Sequence, residues 1–273
     1  MVNGYAPQSL AEALEIRARE TVIPYGGGTD LMVEHHRTGK YLFLHRIPEL
    51  TQITTDATYL RIGAACTFTQ VQEHAGTPAI LKEAISRIAA PAIRNLGTMG
   101  GNIGNGSAKA DSVLILFALD AMLRIERVDG ARVLPIALFY KGRKELDIAP
   151  NELIVEILIP RRIPQHYTYH KIGARAALAI SRLSFAGLWT VEDGVITACQ
   201  TAFGAIEQTV VRKPEIDQLL IGTKLADLKE TGNTYLEAYR EALNPIDGRI
   251  SAKYRKTVCM NLLTDFLEQI VGV

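Results

Sequence analysis

The chain has only three cysteines in 273 residues. Cys66, Cys199 and Cys259 are scattered and form no CxxC pair. An odd, dispersed set supports neither a disulfide framework nor a thiolate site for a metal or an iron–sulfur cluster. An excess of charge of one sign is also missing, since 30 Lys+Arg against 29 Asp+Glu leave a formal net charge of +1. Nucleic-acid and anionic-membrane surfaces usually carry a basic excess, so neither partner is expected. Long apolar runs are absent as well. The longest, Val113–Leu119, lies between Asp111 and Asp120 and is far below the ~20 residues a helix needs to span a bilayer. The opening segment MVNGYAPQSLAEALEIRARE is charged and amphipathic, unlike the basic start and apolar centre of a signal peptide. These absences lead to the expectation of a cytoplasmic protein with no membrane insertion and no nucleic-acid partner.

Common catalytic signatures are missing too. There is no HExxH, no GxSxG elbow, no Gly-Lys-Ser/Thr after a glycine loop and no GxGxxG fingerprint. His35 and His36 are adjacent, so on a helix they would point about 100° apart and could not act as an i, i+4 metal pair. His45, His74, His166 and His170 are isolated. No catalytic side chain and no metal ligand is assigned.

What is present is an ordinary globular composition, 48% hydrophobic and 22% charged, on a chain long enough for two or three packed subdomains. Ser9 and Glu12 stand in capping-box spacing before a helix over Ser9–Arg19. A strand over Thr21–Tyr25, a helix over Leu31–His36 and a strand over Tyr41–Leu44 follow. Tyr59–Gly63 alternates like a strand, and Thr77-Pro78 opens a helix reaching Ile88, with Pro91 as its stop. Ser112–Ala121 reads as a buried helix. Asp129-Gly130 and Asp193-Gly194 mark hairpins joining Met122–Val128 to Arg132–Ile136 and Leu183–Val191 to Val195–Ala205. Tyr167–Lys171 adds a further strand, and helices are expected around Pro214–Leu220, Thr234–Leu243 and Ser251–Ile270.

Two glycine clusters stand out. A residue without Cβ lets backbone N–H groups converge on an anion and permits positive φ. Gly26-Gly27-Gly28-Thr29-Asp30 lies between a strand and a helix, where it could hold a phosphate or simply make a tight turn. Gly97–Gly106 places five glycines in ten residues. Such a loop loses much chain entropy on folding unless a ligand or tight packing orders it. Two loops of this kind suggest a diphosphate held between two subdomains.

These motifs carry a resemblance. Ile93-Arg94-Asn95-x-Gly97-Thr98-x-Gly100-Gly101-Asn102, followed by Asn105-x-Ser107 and Asp111, resembles the second FAD motif of the flavoprotein (medium) subunits of molybdenum hydroxylases. This is the family of xanthine dehydrogenase and carbon monoxide dehydrogenase. Gly26-Gly27-Gly28-Thr29-Asp30-Leu31 resembles that family's first pyrophosphate loop. Tyr5-x-Pro7-x-Ser9-Leu10-x-Glu12-Ala13-Leu14 matches the usual opening. Tyr169-x-Lys171-x-Gly173-x-Arg175, Ala202-x-Gly204-Ala205 and the helix beginning Tyr254-Arg255 match the C-terminal part. The chain departs from the pattern at Ala108-Lys109-Ala110, where proline and small residues are usual, and at Ala179, where many members carry Asp.

The resemblance implies an α+β fold: a two-subdomain PCMH-type FAD-binding region followed by a C-terminal α/β domain with a small antiparallel sheet and helices. The expected domains are 1–160, with subdomains of about 1–50 and 51–160, and 161–273. It further implies that Pro24, Tyr25, Gly26, Gly27, Gly28, Thr29, Asp30 and Leu31, with Thr98, Met99, Gly100, Gly101 and Asn102, wrap the FAD pyrophosphate with backbone amides. Asn105 and Asp111 would meet the ribose and adenine side, and Ile154 and Lys171 the adenine or isoalloxazine. The implied partners are a molybdopterin-binding large subunit and a small subunit with two-iron two-sulfur clusters, with NAD or another molecule as electron acceptor. Two alternatives stay open: a single-chain reductase of the UDP-N-acetylenolpyruvoylglucosamine type, and a noncatalytic nucleotide-binding module.

Overall fold

The computed structural model describes residues 3–33 and 39–272, so His35 and His36 lie outside the described residues. The chain folds as two units, Met1–Ser107 with Asp120–Arg161, and Ala108–Leu119 with Arg162–Val273.

The first unit begins with a parallel three-stranded sheet in the order β1-β3-β2, formed by β1 (Gly4–Tyr5), β2 (Val22–Tyr25) and β3 (Lys40–Phe43). Helix α1 (Leu10–Arg19) joins β1 to β2 and is capped by Ser9, whose Oγ accepts from the Glu12 N–H at 3.2 Å. Ala13, Leu14 and Ile16 give α1 its buried face. Residues 31–33 form a turn; the remainder of the helix expected over Leu31–His36 falls outside the described residues.

A five-stranded antiparallel sheet follows in the order β4-β5-β10-β6-β7. Its strands are β4 (Ile53–Thr55), β5 (Tyr59–Gly63), β6 (Met122–Arg127), β7 (Gly130–Pro135) and β10 (Leu153–Pro160). β10 is the central strand, pairing Ile157 with Ile62 on one side and with Leu123 on the other. Both its faces are covered, so Leu153, Ile154, Val155, Ile157, Leu158 and Ile159 are all buried. Glu156 breaks the apolar run and meets Arg61 and Arg124 at 3.2 Å each.

Along the chain, four short helices follow β5 and precede α6 (Asp111–Ala118) of the second unit. They are α2 (Phe68–Glu73), α3 (Ala79–Ser86), α4 (Pro91–Arg94) and α5 (Met99–Gly104). α3 ends before Ile88, and Pro91 opens α4 instead of only closing α3, because proline suits a first helical position. Ala89 in the connection has φ +43°. Arg94 braces that turn, with Nη1 donating to the carbonyls of Ile88 and Ala89 at 2.8 Å each. The unit is completed by α7 (Ile136–Phe139), β8 (Tyr140–Gly142) and β9 (Glu145–Leu146).

In the second unit β11 (His166–Ile172), β12 (Leu183–Glu192), β13 (Val195–Gly204) and β14 (Val211–Arg212) form an antiparallel sheet in that order. Helix α6, buried along its whole length, packs on β12 and β13. α8 (Pro214–Asp217), α9 (Leu228–Ala242) and α10 (Ala252–Val271) follow. Gly187 lets α10 approach β12: a Cβ there would sit 2.6 Å from the Phe266 ring. Asp217, 1% exposed, ends α8 inside a network of Arg212, Thr201, Tyr235 and Tyr239.

All three cysteines are buried and free. Burial is the leading cause that pushes the Cys66 thiol up to about 11 and that of Cys259 up to about 12, and raises that of Cys199 as well. The native protein is therefore expected to release no thiolate to a disulfide reagent at pH 8 within minutes, and three equivalents after unfolding in guanidinium. Rapid release of a full equivalent from native protein would contradict this burial. Among the described residues no helix is long and apolar enough to cross a membrane, and no group of three or more His, Cys, Asp or Glu comes together as a metal site.

Candidate functional site

The chain leaves β2 at Tyr25 and turns through Gly26-Gly27-Gly28-Thr29-Asp30. Gly28 has φ +69°, a conformation that side chains disfavour. The Tyr25 ring packs against Gly28 and in turn on Tyr41 and Phe43. The second glycine cluster, expected as a loop, folds in part as α5. Thr98 is its N-cap, its Oγ1 accepting from the Gly101 N–H at 3.1 Å.

Glycine lets the two segments touch through their backbones. A Cβ on Gly27 would overlap the carbonyl oxygen of Leu96, and one on Gly26 would overlap Thr98 Oγ1. Gly100 allows α5 to rest on Ala64, where a Cβ would be 2.7 Å from both the Ala64 Cβ and its carbonyl oxygen.

Both segments line a single cavity of about 380 Å³ within the first unit. That volume falls in the range typical of small-molecule and cofactor sites, roughly 300–1,000 Å³. Pro24, Gly26, Gly27, Gly28, Thr29, Asp30 and Leu31 are in its wall, as are Thr98, Gly100, Gly101, Asn102, Asn105 and Ile154. Four of the expected residues are elsewhere. Tyr25 supports Gly28 from behind, and Met99 is a fully buried core side chain. Asp111 and Lys171 belong to the second unit, where Lys171 Nζ meets Asp111 Oδ2 at 2.7 Å and Ser181 Oγ donates to Asp111 Oδ1 at 2.6 Å.

The backbone donors divide unequally between the two segments. The Met99 N–H donates to the Cys66 carbonyl at 3.0 Å and that of Gly100 to the Ala64 carbonyl at 2.8 Å. Gly101 donates to Thr98 Oγ1, and Asn102 to the Thr98 carbonyl at 3.0 Å. The sequence reading had the amides of both clusters facing a pyrophosphate; those of Met99 to Asn102 are already engaged within the protein. The N–H groups of Gly26 to Asp30, by contrast, have no partner among the described residues. Gly26 to Thr29 are half-buried and Asp30 is exposed, so these donors are open to water or a ligand. Successive free amides in a glycine turn suit an anion such as a diphosphate.

The sequence reading missed several wall residues, including Arg17, Phe139, Lys144 and Glu152. These come from a helix end, loops and the approach to β10, and no local motif marks them. The Glu152 carboxylate is held by Arg132 at 2.8 and 2.9 Å and by the Ala149 N–H at 2.8 Å. Arg132 is the main cause keeping Glu152 below the ordinary carboxylate range. Among the described residues no His or Cys is in the cavity wall. The described wall thus offers backbone amides for the diphosphate of a dinucleotide and apolar surface for a ring.

A mixed α+β chain with paired glycine segments around one such cavity is suited to binding a dinucleotide cofactor. Residues 1–162 match the FAD binding domain in molybdopterin dehydrogenase, and residues 168–270 match the CO dehydrogenase flavoprotein C-terminal domain. The chain thus belongs to the family of FAD-binding medium subunits of molybdenum hydroxylases. It is 29% identical to the nicotinate dehydrogenase FAD-subunit of Eubacterium barkeri, over 98% of this chain and 97% of that one. It is 33% identical to the xanthine dehydrogenase FAD-binding subunit of Escherichia coli O157:H7, over 77% and 76%. The structure of reconstituted CO dehydrogenase from Oligotropha carboxidovorans matches with a TM-score of 0.88 at 26% identity, over 100% of this chain and 99% of that chain.

Proposed function

We propose that the chain carries electrons within a multi-subunit hydroxylase, receiving them from two-iron two-sulfur clusters on a small subunit and delivering them to NAD or another acceptor. Substrate oxidation would occur on a molybdopterin-binding large subunit. The observation that supports this best is the run of amides at Gly26 to Asp30, without a partner among the described residues, in the wall of a cofactor-sized cavity in a chain of this family. Bound FAD would supply the exchange of electrons between partners. The chain's own residues would bind and orient it. The Gly26–Asp30 turn would hold the diphosphate, Thr98 would keep α5 against that turn, and Arg132 would neutralise the Glu152 carboxylate in the wall. On this reading residues 1–160 are the cofactor domain, 161–273 the second domain, and the assembly works in the cytoplasm.

Two measurements test the proposal. The purified chain should bind FAD at one equivalent and release all of it to the supernatant in acid. Co-expressed with a molybdopterin-binding and an iron–sulfur subunit encoded beside it, the chain should co-purify, and substrate turnover should require its FAD. The chain alone should hydroxylate no purine, N-heterocycle or aldehyde and oxidise no carbon monoxide. Hydroxylation by the isolated chain, with metal analysis excluding a molybdenum contaminant, would overturn it.

A further inference from the structure

Arg17 stands in the last turn of α1 and is part of the cavity wall. Its Nε donates to the Glu152 carbonyl at 2.6 Å and its Nη1 to the Val22 carbonyl at 2.9 Å. Nη2 has no partner, and no carboxylate pairs with the guanidinium, among the described residues. Burial lowers its pKa, with no neighbouring anion opposing the shift. A half-buried cation tied only to two carbonyls keeps unused hydrogen-bonding capacity, since a guanidinium carries five N–H donors. Bracing β2 against the approach to β10 explains Nε and Nη1. It does not explain a guanidinium in the wall of a ligand cavity with Nη2 uncommitted.

Position decides which part of a ligand Arg17 would meet. Its anchor, Val22, opens β2, whereas the glycine turn leaves β2 after Tyr25. Three steps of strand at ~3.3 Å each separate the two ends by ~10 Å. A diphosphate on the Gly26–Asp30 amides would therefore lie a nucleoside arm away from Arg17. The wall also includes Leu44, Leu153 and Ile154, and Leu44 and Leu153 pack in one core cluster with Val22, whose carbonyl Arg17 meets. Apolar side chains in the same wall as an uncommitted guanidinium donor fit a flat heteroaromatic base with ring-nitrogen acceptors. Of the two ring systems in FAD, the isoalloxazine must stay within reach of electron donors and acceptors, while adenine needs no such access.

We infer that Arg17 is the recognition residue for the adenine base of FAD, its Nη2 donating to an acceptor nitrogen of the purine against the Leu44–Leu153–Ile154 wall. The inference rests on the FAD-binding assignment. It makes Arg17 a specificity determinant for the dinucleotide over flavin mononucleotide.

The test is binding, read by flavin fluorescence for FAD and FMN and by competition for ADP, on the wild type, Arg17→Met and Arg17→Lys. Arg17→Met should weaken FAD and ADP by at least about tenfold, as expected for loss of a hydrogen bond to a charged donor, and leave FMN within about twofold. Arg17→Lys keeps a cation that can reach a carbonyl but has no second arm, so it should show the same loss for ADP. It supplies the reading if the Met variant does not fold. Folded variants with wild-type affinity for FAD and ADP would reduce Arg17 to a brace and overturn the inference. Weakened FMN with unchanged ADP would also overturn it, by assigning Arg17 to the isoalloxazine. Failure of the wild type to bind FAD would refute the cofactor assignment itself, a result distinct from either.

Discussion

Gly27→Ala is expected to lower FAD affinity by at least about 100-fold, equivalent to roughly 2.7 kcal/mol. The added Cβ would overlap the Leu96 carbonyl oxygen and lie 2.9 Å from the Gly97 amide nitrogen. Both obstacles are backbone, so no rotamer change relieves them, and the two glycine segments must separate. Separation would displace the Gly26–Asp30 amides from the wall they share with α5. Gly101→Val should act more gently. Its Cβ would meet only Thr98 Oγ1, at 2.8 Å, and strain a cap of the kind worth ~1 kcal/mol, so a loss of about tenfold is expected. Gly104→Ala is the stability control, because a Cβ there has nothing within 4 Å; its melting temperature should match that of the wild type. Flavin titration and thermal unfolding of the three variants check these expectations. Wild-type FAD affinity in folded Gly27→Ala would show that the close approach of the two segments does not hold the cofactor.

Much of this site could be read from the sequence because its chemistry is local. Gly26-Gly27-Gly28-Thr29 directly follows an apolar strand, and glycine signals close backbone approach wherever it falls. The second cluster lines the cavity, but it is in part a helix and not the loop its composition suggests. Three of the six residues of α5 are glycines, which disfavours a helix on propensity. The Thr98 cap and the seat on Ala64 override that preference. β10 escaped notice because Leu153–Pro160 has no alternation: a strand covered on both faces reads as a plain apolar run. α9 starts at Leu228, six residues before the expected Thr234, because Gly232 interrupts its pattern; in the structure Gly232 packs near Leu267, where a Cβ would stand 3.1 Å from Cδ1. Pairs distant in sequence leave no periodic trace, as with Lys171 and Asp111, 60 positions apart. Arg17 lies in no motif, and only the fold brings it to the cavity. The cofactor was legible through family likeness; composition alone would have stopped at two anion-friendly loops.

The largest stability effect is expected far from the glycine segments in sequence, at Asp217. Its Oδ2 accepts from the Thr201 N–H at 2.9 Å and from the Arg212 guanidinium, and its Oδ1 from Thr201 Oγ1 at 2.6 Å and the Tyr239 hydroxyl at 3.0 Å. The side chains of Asp217 and Arg212 are 1% and 6% exposed. Removing one member of a buried pair leaves the other charge uncompensated, which typically costs ~3–5 kcal/mol. Asp217→Ala should therefore destabilise the second unit by about that amount. Combining it with Arg212→Met should cost clearly less than the two single changes added together, because the double variant buries no lone charge. The wild type should also show a pH signature. Burial is the main cause raising Asp217 from 3.8 to about 6, against the opposing pull of Arg212 and its hydrogen-bond donors. A carboxyl with a raised folded pKa binds its proton more tightly in the native state. Its contribution is thus fully present below pH 3.8 and is lost as pH rises through about 6. Asp217→Asn should remove that slope. The chain's one tryptophan, Trp189, is 4% exposed in β12, so urea unfolding followed by its fluorescence reports on this unit directly. A loss below about 1 kcal/mol in Asp217→Ala, or strict additivity in the double variant, would mean that the network does not hold a buried charge pair.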